Sequence, residues 1–373
     1  MSKKGRILVA MSGGIDSSLA AVLLHEEGYE VIGMTLKRWD YQTSGGSKKE
    51  TGCCSLDSIN DARNVAVSLG FPHYIIDIRS EFGDAVINYF TDEYVAGKTP
   101  NPCVMCNTHI KWDALLRRAD KLDCELIATG HYANVRKEKD RFIVSTGIDS
   151  HKDQSYALWG ISQESLSRTK YPLGCLKKSA IYEMAGDRGF MELVNKSESY
   201  EICFVPDNDY RAFLKRRIPK LQQQVDGGDF VLEETGEVVG KHEGYPFYTI
   251  GQRKGLGVAL GYPVYVTEIQ KDKNRVLLGT FDELSRNGMF VKQLNLQKYA
   301  TMEGERKDAF TKVRYNDPGT PAVIEQVGDT MKVYFGKGVS AIAPGQAAVF
   351  YEGDDVIGGG WIHSSFRQHS VSS

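Results

Sequence analysis

The sequence predicts an α/β domain built on a parallel sheet, followed by two smaller β-rich domains, of which the last is a β-barrel. Apolar strand-like runs alternate with helical patterns in the first half of the chain, and short strands separated by polar or glycine-containing turns fill the second half. In addition, a glycine-rich turn directly follows the first strand. At 373 residues the chain is long enough for two or three hydrophobic cores.

The first domain is predicted from the order of its elements. Helical patterns stop before Gly28 and Gly70, and glycine is the usual residue just past the end of a helix. Strands separated by helices of this length pair in parallel. We therefore expect an α/β domain over residues 1–206, with strands at 7–11, 30–36, 73–78 and 125–129, helices at 15–27, 56–69 and 178–188, and half of a hairpin at 141–145.

The second half opens with a basic segment at 211–220 and then changes to short strands. The strand-like runs lie at 264–269, 309–314, 322–327, 332–335 and 347–351. Their number and spacing suit one small linking domain and one barrel. We expect a central linking domain at 207–285 and a β-barrel at 286–373.

The composition of the chain indicates the cellular compartment in which the protein works. No apolar stretch is long enough to span a bilayer, and the strand predicted at 7–11 leaves no room for a signal peptide. Seven cysteines, an odd number in a long chain, argue against a secreted disulfide framework. These features predict a cytoplasmic protein without membrane contact. With a net charge of -2, a nucleic-acid partner would have to be bound by local basic patches.

The turn at residues 12–18 reads Ser-Gly-Gly-Ile-Asp-Ser-Ser and opens the first predicted helix. Paired glycines allow close backbone approach, and the amides and hydroxyls at a helix N-terminus can bind phosphate. Asp16 stands where a Walker loop would continue towards its lysine, and a carboxylate there suits orientation of Mg²⁺ beside the phosphates. The alternative is a plain strand-to-helix turn with serine as the N-cap.

Two cysteine-containing segments are predicted to lie in loops that give a nucleophile access to its substrate. Cys106 lies in the loop 97–107, and Cys203 follows a serine-rich turn. Cys103 and Cys106 could form half of a zinc site, and Cys53 with Cys54, in the polar stretch 37–54, could supply the other half. Adjacent cysteines, however, are not the usual spacing of zinc ligands. We therefore expect no metal there. The two other cysteines, predicted to be buried packing residues, are Cys124 and Cys175.

The glycine-rich turn resembles the PP-loop of ATP pyrophosphatases, which adenylate a carbonyl oxygen and release pyrophosphate. Over residues 6–361 the chain resembles the tRNA-specific 2-thiouridylases, the MnmA family, which make 2-thiouridine at the wobble position of tRNA. The sequence motifs that carry this resemblance are Thr99-Pro100-Asn101-Pro102, Ala128-Thr129-Gly130-His131-Tyr132, Lys152-Asp153-Gln154-Ser155-Tyr156, Ile202-Cys203-Phe204 and Gly251-Gln252-Arg253-Lys254-Gly255-Leu256-Gly257.

The resemblance implies that the cofactors are ATP and Mg²⁺. It also implies an adenine nucleotide alpha hydrolase-like fold for the first domain. The positions that match the family's ATP site are Ala10, Met11, Ser12, Gly13, Gly14, Ile15, Asp16, Ser17, Leu36 and Gly130.

The resemblance also implies the catalytic residues. Cys203 carries a persulfide delivered by a sulfur-carrier protein or a cysteine desulfurase, and ATP adenylates the uridine C2 carbonyl with loss of pyrophosphate. Cys106 then resolves the linkage to Cys203 by thiol exchange, or first liberates hydrosulfide as the attacking species. Either route leaves the two cysteines in a disulfide bond. The implied activity is that of an ATP-dependent tRNA sulfurtransferase.

Contacts with tRNA are implied in the same way. Asn101, Pro102 and Cys103 approach the target base, and Arg314 with Tyr315 contacts tRNA from the last domain. Three further residues, close to the site, are Lys152, Asp153 and Gln154. Basic residues at 211–220 could neutralise phosphates or could form a solvated helix face. His131 is expected to be structural.

Two other functions remain open from the residues alone. An amidating PP-loop synthetase for a small metabolite would explain residues 12–18 but not the cysteine pair or the β-rich second half. A non-catalytic tRNA-binding protein would explain the basic segment but would neither consume ATP nor need Cys203.

Overall fold

The computed structural model describes residues 4–39, 55–196, 202–205 and 208–367. In chain order the first elements are β1 (Arg6–Ala10), α1 (Ile15–Glu26), β2 (Glu30–Lys37), α2 (Leu56–Leu69), β3 (His73–Asp77), α3 (Arg79–Phe82), α4 (Asn88–Val95), α5 (Pro102–Cys106), α6 (Trp112–Lys121), β4 (Leu126–Thr129), β5 (Ala133–Glu138), β6 (Arg141–Thr146), α7 (Gln163–Ser167), β7 (Thr169–Lys170), α8 (Lys178–Asp187) and α9 (Met191–Val194).

The elements that follow are α10 (Tyr210–Arg217), α11 (Leu221–Val225), β8 (Gly228–Leu232), β9 (Val238–His242), β10 (Tyr265–Gln270), β11 (Arg275–Gly279), β12 (Ser285–Leu296), β13 (Arg306–Lys312), β14 (Thr320–Val327), β15 (Thr330–Ser340), β16 (Ala347–Glu352) and β17 (Asp355–Phe366). Contacts group the chain into two compact units, one containing 1–86, 103–209 and 354–357, the other 87–102, 210–353 and 358–373. The predicted boundaries at 206 and 285 remain a prediction.

The first unit is built on a parallel sheet with strand order β3-β2-β1-β4-β7. Its central strand β1 is buried from Ile7 to Val9, as expected for a strand covered on both faces. Helices α1, α2 and α8 contribute buried apolar residues to the same core. The predicted parallel α/β domain is therefore confirmed. The carboxyl ends of β1 and β4, where such folds place their ligands, lie side by side.

Beside this sheet, β5 and β6 form an antiparallel hairpin. Asp355 pairs with Ser145 of the hairpin in register and accepts a hydrogen bond from the Ser145 hydroxyl at 2.8 Å. Arg136 donates to the same carboxylate through Nη2 at 2.6 Å. The short segment 354–357 thus belongs to the first unit although it lies far along the chain.

The second unit contains two β structures. The first is a four-stranded sheet with order β10-β11-β8-β9. The second follows the order β12-β15-β14-β13-β16-β17 and closes through pairing of β12 with β17. Closure removes the exposed strand edges and confirms the predicted C-terminal barrel.

Two predictions about local structure are wrong. The segment 102–107 is not a loop: Pro102 begins helix α5, where its missing N–H costs no hydrogen bond, and a π-helical turn, Asn107–Lys111, continues it. Cys175 is exposed rather than buried, because it lies in a surface turn where its thiol contacts the Asn134 side-chain oxygen at 3.3 Å. Cys124 is buried as predicted. Most of the predicted loop 37–54 lies outside the described residues.

Candidate active site

The glycine-rich loop, residues 11–14, connects β1 to α1 and is braced by two serines. The Ser17 hydroxyl accepts a hydrogen bond from the Ser12 backbone N–H at 2.9 Å and donates to the Gly14 carbonyl at 3.1 Å. The two hydroxyl oxygens are 3.1 Å apart. Helix α1 has Gly14 as its N-cap, without a capping side chain, so the alternative of a serine-capped turn is wrong. The serines instead fix the shape of the loop.

Two glycines permit the close approaches around this loop. Gly13 has φ +74°, and a Cβ there would lie 1.8 Å from the Ser58 carbonyl oxygen at the start of α2. A Cβ on Gly130, just after β4, would lie 2.7 Å from the Ser17 backbone nitrogen. Neither position has room for a side chain, because in each case the neighbouring atoms belong to the backbone.

A cavity of about 220 Å³ opens beside the loop at the carboxyl ends of β1, β2 and β4. Of the predicted ATP-site residues it is lined by Ala10, Met11, Ser12, Asp16, Ser17, Leu36 and Gly130, whereas Gly13, Gly14 and Ile15 do not line it. Residues not predicted for the nucleotide complete the lining, namely Met34, Thr35, Arg38, Lys111, Thr129, His131 and Gln154. A larger cavity, of about 340 Å³, contains none of the predicted site residues.

Asp16 is held by two side chains from other elements. Its Oδ1 accepts from the Tyr132 hydroxyl and from the Lys178 ammonium, both at 2.6 Å. Lys178 is almost fully buried, begins helix α8, and donates its backbone N–H to Asp149 at 2.9 Å. Its ammonium also lies over the ring of Tyr182, 5.0 Å from the centroid. The loop carboxylate therefore has a fixed orientation and a neutralised charge.

These contacts decide how Asp16 could serve Mg²⁺. Among the described residues, no three His, Cys, Asp or Glu side chains form a group that could hold a metal ion. Mg²⁺ bound to ATP needs few protein ligands, because phosphates and water supply most of its oxygens. With Oδ1 engaged, Oδ2 of Asp16 is the oxygen suited to this use. The donor set thus fits a Mg²⁺ ion that arrives bound to the phosphates.

Lys196 contacts the loop from its other side. Its ammonium donates to the Gly13 carbonyl at 3.2 Å, to the Ser58 hydroxyl at 3.0 Å and to Asp61 at 2.5 Å. Ser58 and Asp61 lie on the first two turns of α2. One cation therefore connects the glycine-rich loop to the neighbouring helix.

His131 lines the cavity and forms a 2.7 Å hydrogen bond through Nδ1 with the Thr129 hydroxyl. The His131 side chain is half-buried beside the cavity. This burial, followed by the positive charges of Lys111 and Arg38, holds the pKa of His131 well below its usual range. The imidazole is therefore neutral near pH 7. The Thr129 hydroxyl thus holds the ring in place, and the structural role of His131 stays a prediction.

Cys106 is a buried free thiol at the end of α5. The following Asn107 donates its side-chain amide to the Ala157 carbonyl at 3.1 Å, which anchors the π-helical turn. That turn ends at Lys111, which lines the cavity. Helix α5 and the nucleotide cavity are thus connected by one short run of chain.

Cys203 is half-buried in a tight turn in which the Val205 N–H bonds the Ile202 carbonyl at 3.0 Å. The next residue, Phe204, is buried and packs edge-on against Phe82, with centroids 5.7 Å apart. The aromatic anchor fixes this turn to the first unit. The predicted serine-rich turn before it, at 197–201, lies outside the described residues.

The predicted tRNA-binding residues have different surroundings. Asp153 accepts hydrogen bonds from the Gly147 and Ser155 backbone N–H groups. Gln154 accepts from the Tyr132 N–H at 3.0 Å and lines the cavity. Cys103 and Tyr315 are exposed. The others are Asn101, Pro102, Lys152 and Arg314, all half-buried or exposed except for the buried Pro102. Their contacts with tRNA remain predictions.

Sequence reasoning missed four charged residues at the site, namely Arg38, Lys111, Lys178 and Lys196. Tyr132 was recognised as part of a motif but without a role. The basic residues lie next to elements already identified, either after β2, after the cysteine segment or at helix ends. Position beside a predicted phosphate loop is the signal that could have singled them out.

In the described part of the chain, no helix is long and apolar enough to cross a membrane. The first unit carries its glycine-rich loop and cavity at the carboxyl ends of parallel strands, which defines a nucleotide-binding α/β domain of the PP-loop class. The chain matches the family described as "tRNA methyl transferase HUP domain" over residues 5–207. It also matches "tRNA methyl transferase PRC-barrel domain" over 211–280 and "Aminomethyltransferase beta-barrel domain" over 286–362.

Similar proteins of known name identify the family within this class. The chain is 75% identical to the tRNA-specific 2-thiouridylase MnmA of Amoebophilus asiaticus, covering 98% of this chain and 97% of that protein. It is 74% identical to the protein of the same name from Cytophaga hutchinsonii, covering 99% and 100%. The chain therefore belongs to the tRNA-specific 2-thiouridylase family. A 4-thiouridine synthetase–RNA complex with bound ATP is a more distant likeness, with 18% identity, coverage of 58% and 51%, and a TM-score of 0.37.

Proposed function

We propose that this protein activates the wobble uridine of tRNA with ATP and replaces its O2 with sulfur, releasing AMP and pyrophosphate. The observation that carries the proposal is the run of chain from Cys106 through the π-helical turn to Lys111, which joins a thiol-bearing helix to the nucleotide cavity. Membership of the 2-thiouridylase family supports the same substrate and product.

In the activation step, uridine O2 attacks the α-phosphorus of ATP and pyrophosphate leaves. The residues proposed to bind ATP are those from Ala10 to Ser17, together with Leu36 and Gly130. The helix N-terminus and the loop amides favour the phosphates, and Lys111 and Arg38 add positive charge at the cavity wall. Asp16, held by Tyr132 and Lys178, would meet a phosphate-bound Mg²⁺, which supplies charge neutralisation of the leaving pyrophosphate.

Sulfur transfer uses both cysteines. In one route, the terminal sulfur of a Cys203 persulfide attacks C2, AMP leaves, and the Cys106 thiolate then attacks Cys203 Sγ and releases 2-thiouridine. In the other, Cys106 attacks Cys203 Sγ first and expels hydrosulfide, which attacks C2 as AMP leaves. Both routes oxidise two thiols to a Cys106–Cys203 disulfide while the sulfane sulfur is reduced to sulfide. A reductant must open that disulfide before the next turnover.

Two macromolecular partners follow from this chemistry. One is a tRNA with a wobble uridine, contacted by residues 101–103, 152–154, Arg314 and Tyr315. The other is a persulfide-bearing sulfur carrier or cysteine desulfurase that loads Cys203. Since the cycle needs ATP, tRNA and reducible thiols, we place it in the cytoplasm.

The test compares the native protein with C106S, C203S and the control C175S, which alters an exposed thiol of the same unit. Each is incubated with unmodified tRNA, Mg-ATP and a persulfide donor, and thiouridine and pyrophosphate are measured by mass spectrometry. We expect C175S to match the native protein and both other variants to fall below roughly one thousandth of its thiouridine yield. Native-rate thiouridine formation by C203S would overturn the mechanism.

The same variants distinguish the two routes. With C106S, direct persulfide attack predicts a tRNA joined to Cys203 through a disulfide, which a reductant releases as thiouridine. The hydrosulfide route predicts no such adduct and rescue of C106S by added sulfide. Because the matching family description mentions methyl transfer, native protein is also incubated with S-adenosylmethionine. We expect no methylated tRNA.

A further inference from the structure

Lys196 occupies an unusual position between two functional segments. Its ammonium donates to Gly13 of the glycine-rich loop and to Ser58 and Asp61 of α2, and its side chain is 30% exposed. In the sequence, only residues 197–202 separate it from Cys203. None of the chemistry described above uses this side chain.

The bond to Gly13 has a consequence for phosphate binding. The Gly13 carbonyl and the Gly14 N–H belong to one planar trans peptide, so they point in opposite directions. A cation that holds the carbonyl on its own side therefore turns the Gly14 N–H to the opposite side of the loop. Gly14 is the N-cap of α1, and amides at a helix N-terminus are the groups that bind anions.

Without the Lys196 ammonium, the orientation of the Gly13–Gly14 peptide is less restrained. Gly13 and Gly14 lack side chains, and glycine gains the most conformational freedom when a restraint is lost. On the α2 side, the Ser58 carbonyl lies so close to Gly13 that no Cβ fits between them. Lys196 ties these two closely packed segments together, since its ammonium bonds to the Gly13 carbonyl and to the Ser58 hydroxyl.

We propose that Lys196 is a positioning residue that holds the Gly13–Gly14 peptide ready for the ATP phosphates. This inference rests on the proposed role of the loop in binding ATP. Lys196 itself touches neither substrate nor reacting sulfur. It acts through the peptide that it orients.

The first test measures the ATP dependence of pyrophosphate release with unmodified tRNA. In K196M we expect kcat/KM for ATP to fall between about 10-fold and 150-fold, the range for losing a hydrogen bond to a charged group, mainly through KM. K196R should recover part of the loss. D61N, which removes the ion pair but keeps the Gly13 contact, should stay within about threefold of native. The exposed lysine variant K121M serves as a control.

The second test is a control for folding. Thermal unfolding of each variant checks that it is folded.

Two outcomes would overturn the inference. One is a K196M variant with native kcat/KM for ATP, and the other is a D61N variant that is as impaired as K196M. Failure of the native protein to make thiouridine would instead count against the proposed function.

Discussion

Lys178 and Asp16 form an ion pair between two helices, with Nζ 2.6 Å from Oδ1, at the opening of the glycine-rich loop. The lysine side chain is 9% exposed and the aspartate side chain 32% exposed. A lysine so deeply buried is retained only with a partner. Helix α8 thus delivers a positive charge to the carboxylate at the start of α1, and Tyr132 completes the arrangement with a second bond to the same oxygen.

We predict that K178M destabilises the protein by about 2 kcal/mol. The cost lies below the roughly 3–5 kcal/mol of a fully buried broken pair, because water reaches Asp16 in part. The exposed neighbour provides the control K177M, which should change stability by less than about 0.5 kcal/mol. Urea denaturation measures both values. Equal stability of K178M and K177M would show that the ion pair contributes nothing to the fold.

Gly13 and Gly70 allow backbone strain and steric exclusion to be separated. Both have φ +74°, but a Cβ on Gly13 would meet the Ser58 carbonyl at 1.8 Å, whereas Gly70 has open space around it. We expect G70A to cost about 1–2 kcal/mol, the penalty of left-handed backbone alone. G13A should cost more and should also abolish ATP-dependent pyrophosphate release, since the loop must move. Denaturation and pyrophosphate assays test both effects. Native ATP use by G13A would contradict the close approach of the Ser58 carbonyl to Gly13.

The sequence predicts the bounds of helices and strands where local signals mark them. The bounds of α2 match the prediction, and those of β1 and α1 differ from it by one residue, because strand periodicity, a serine cap and a terminal glycine are local signals. The glycine-rich loop was recognised for the same reason. Cavity lining by Leu36 and Gly130 agrees with positions expected only from family resemblance.

Contacts between distant segments could not be predicted. Lys178 reaches Asp16, and Asp355 binds Arg136 and Ser145, across stretches of chain that no local pattern relates. Segment 102–107 was misjudged because proline and cysteine suggested a loop. Its helix follows from proline occupying the first helical position, which composition does not reveal.

His131 predicts a particular pH dependence of stability. Its pKa is lowered in the folded protein by burial and then by the charges of Lys111 and Arg38. As pH falls below about 6.5, the ordinary histidine value, the unfolded chain takes up a proton that the folded protein does not. The free energy of unfolding therefore falls with pH until the folded pKa is reached, by up to about 1.4 kcal/mol per pH unit for one group.

We expect the variant H131Q to lose this contribution. Between pH 7.5 and 5.5, its free energy of unfolding should decline less steeply than that of the native protein. The two slopes should differ by up to about 1.4 kcal/mol per pH unit, which is the contribution of one proton. Other histidines, such as the half-buried His73 and the buried His242, also have lowered pKa values and keep part of the slope in both proteins. Denaturant titrations at several pH values give the two slopes. Parallel slopes would mean that His131 titrates alike in the folded and unfolded states.

The basic segment separates into residues with internal partners and residues that face solvent. Lys215 pairs with Glu243 at 2.8 Å, and Arg211 lies over the Tyr248 ring, 5.1 Å from its centroid. Arg216 and Lys220 are exposed. Arg217 is also exposed but donates to the Asn88 side chain at 3.1 Å. Arg216 and Lys220 are therefore the part of the segment suited to neutralising tRNA phosphates, whereas Arg211 and Lys215 hold α10 against its own unit.

Replacing Arg216 and Lys220 together by alanine should weaken tRNA binding and reduce its salt dependence. Each lost phosphate contact lowers the slope of log K against log salt by about 0.7 to 0.9, so the double variant should lose up to about 1.8. Lys337, exposed in the same unit, provides the control K337A, with an unchanged slope. Binding isotherms at several salt concentrations measure these slopes. If the double variant keeps the native slope, the exposed basic pair forms a solvated helix face, and tRNA must be held elsewhere.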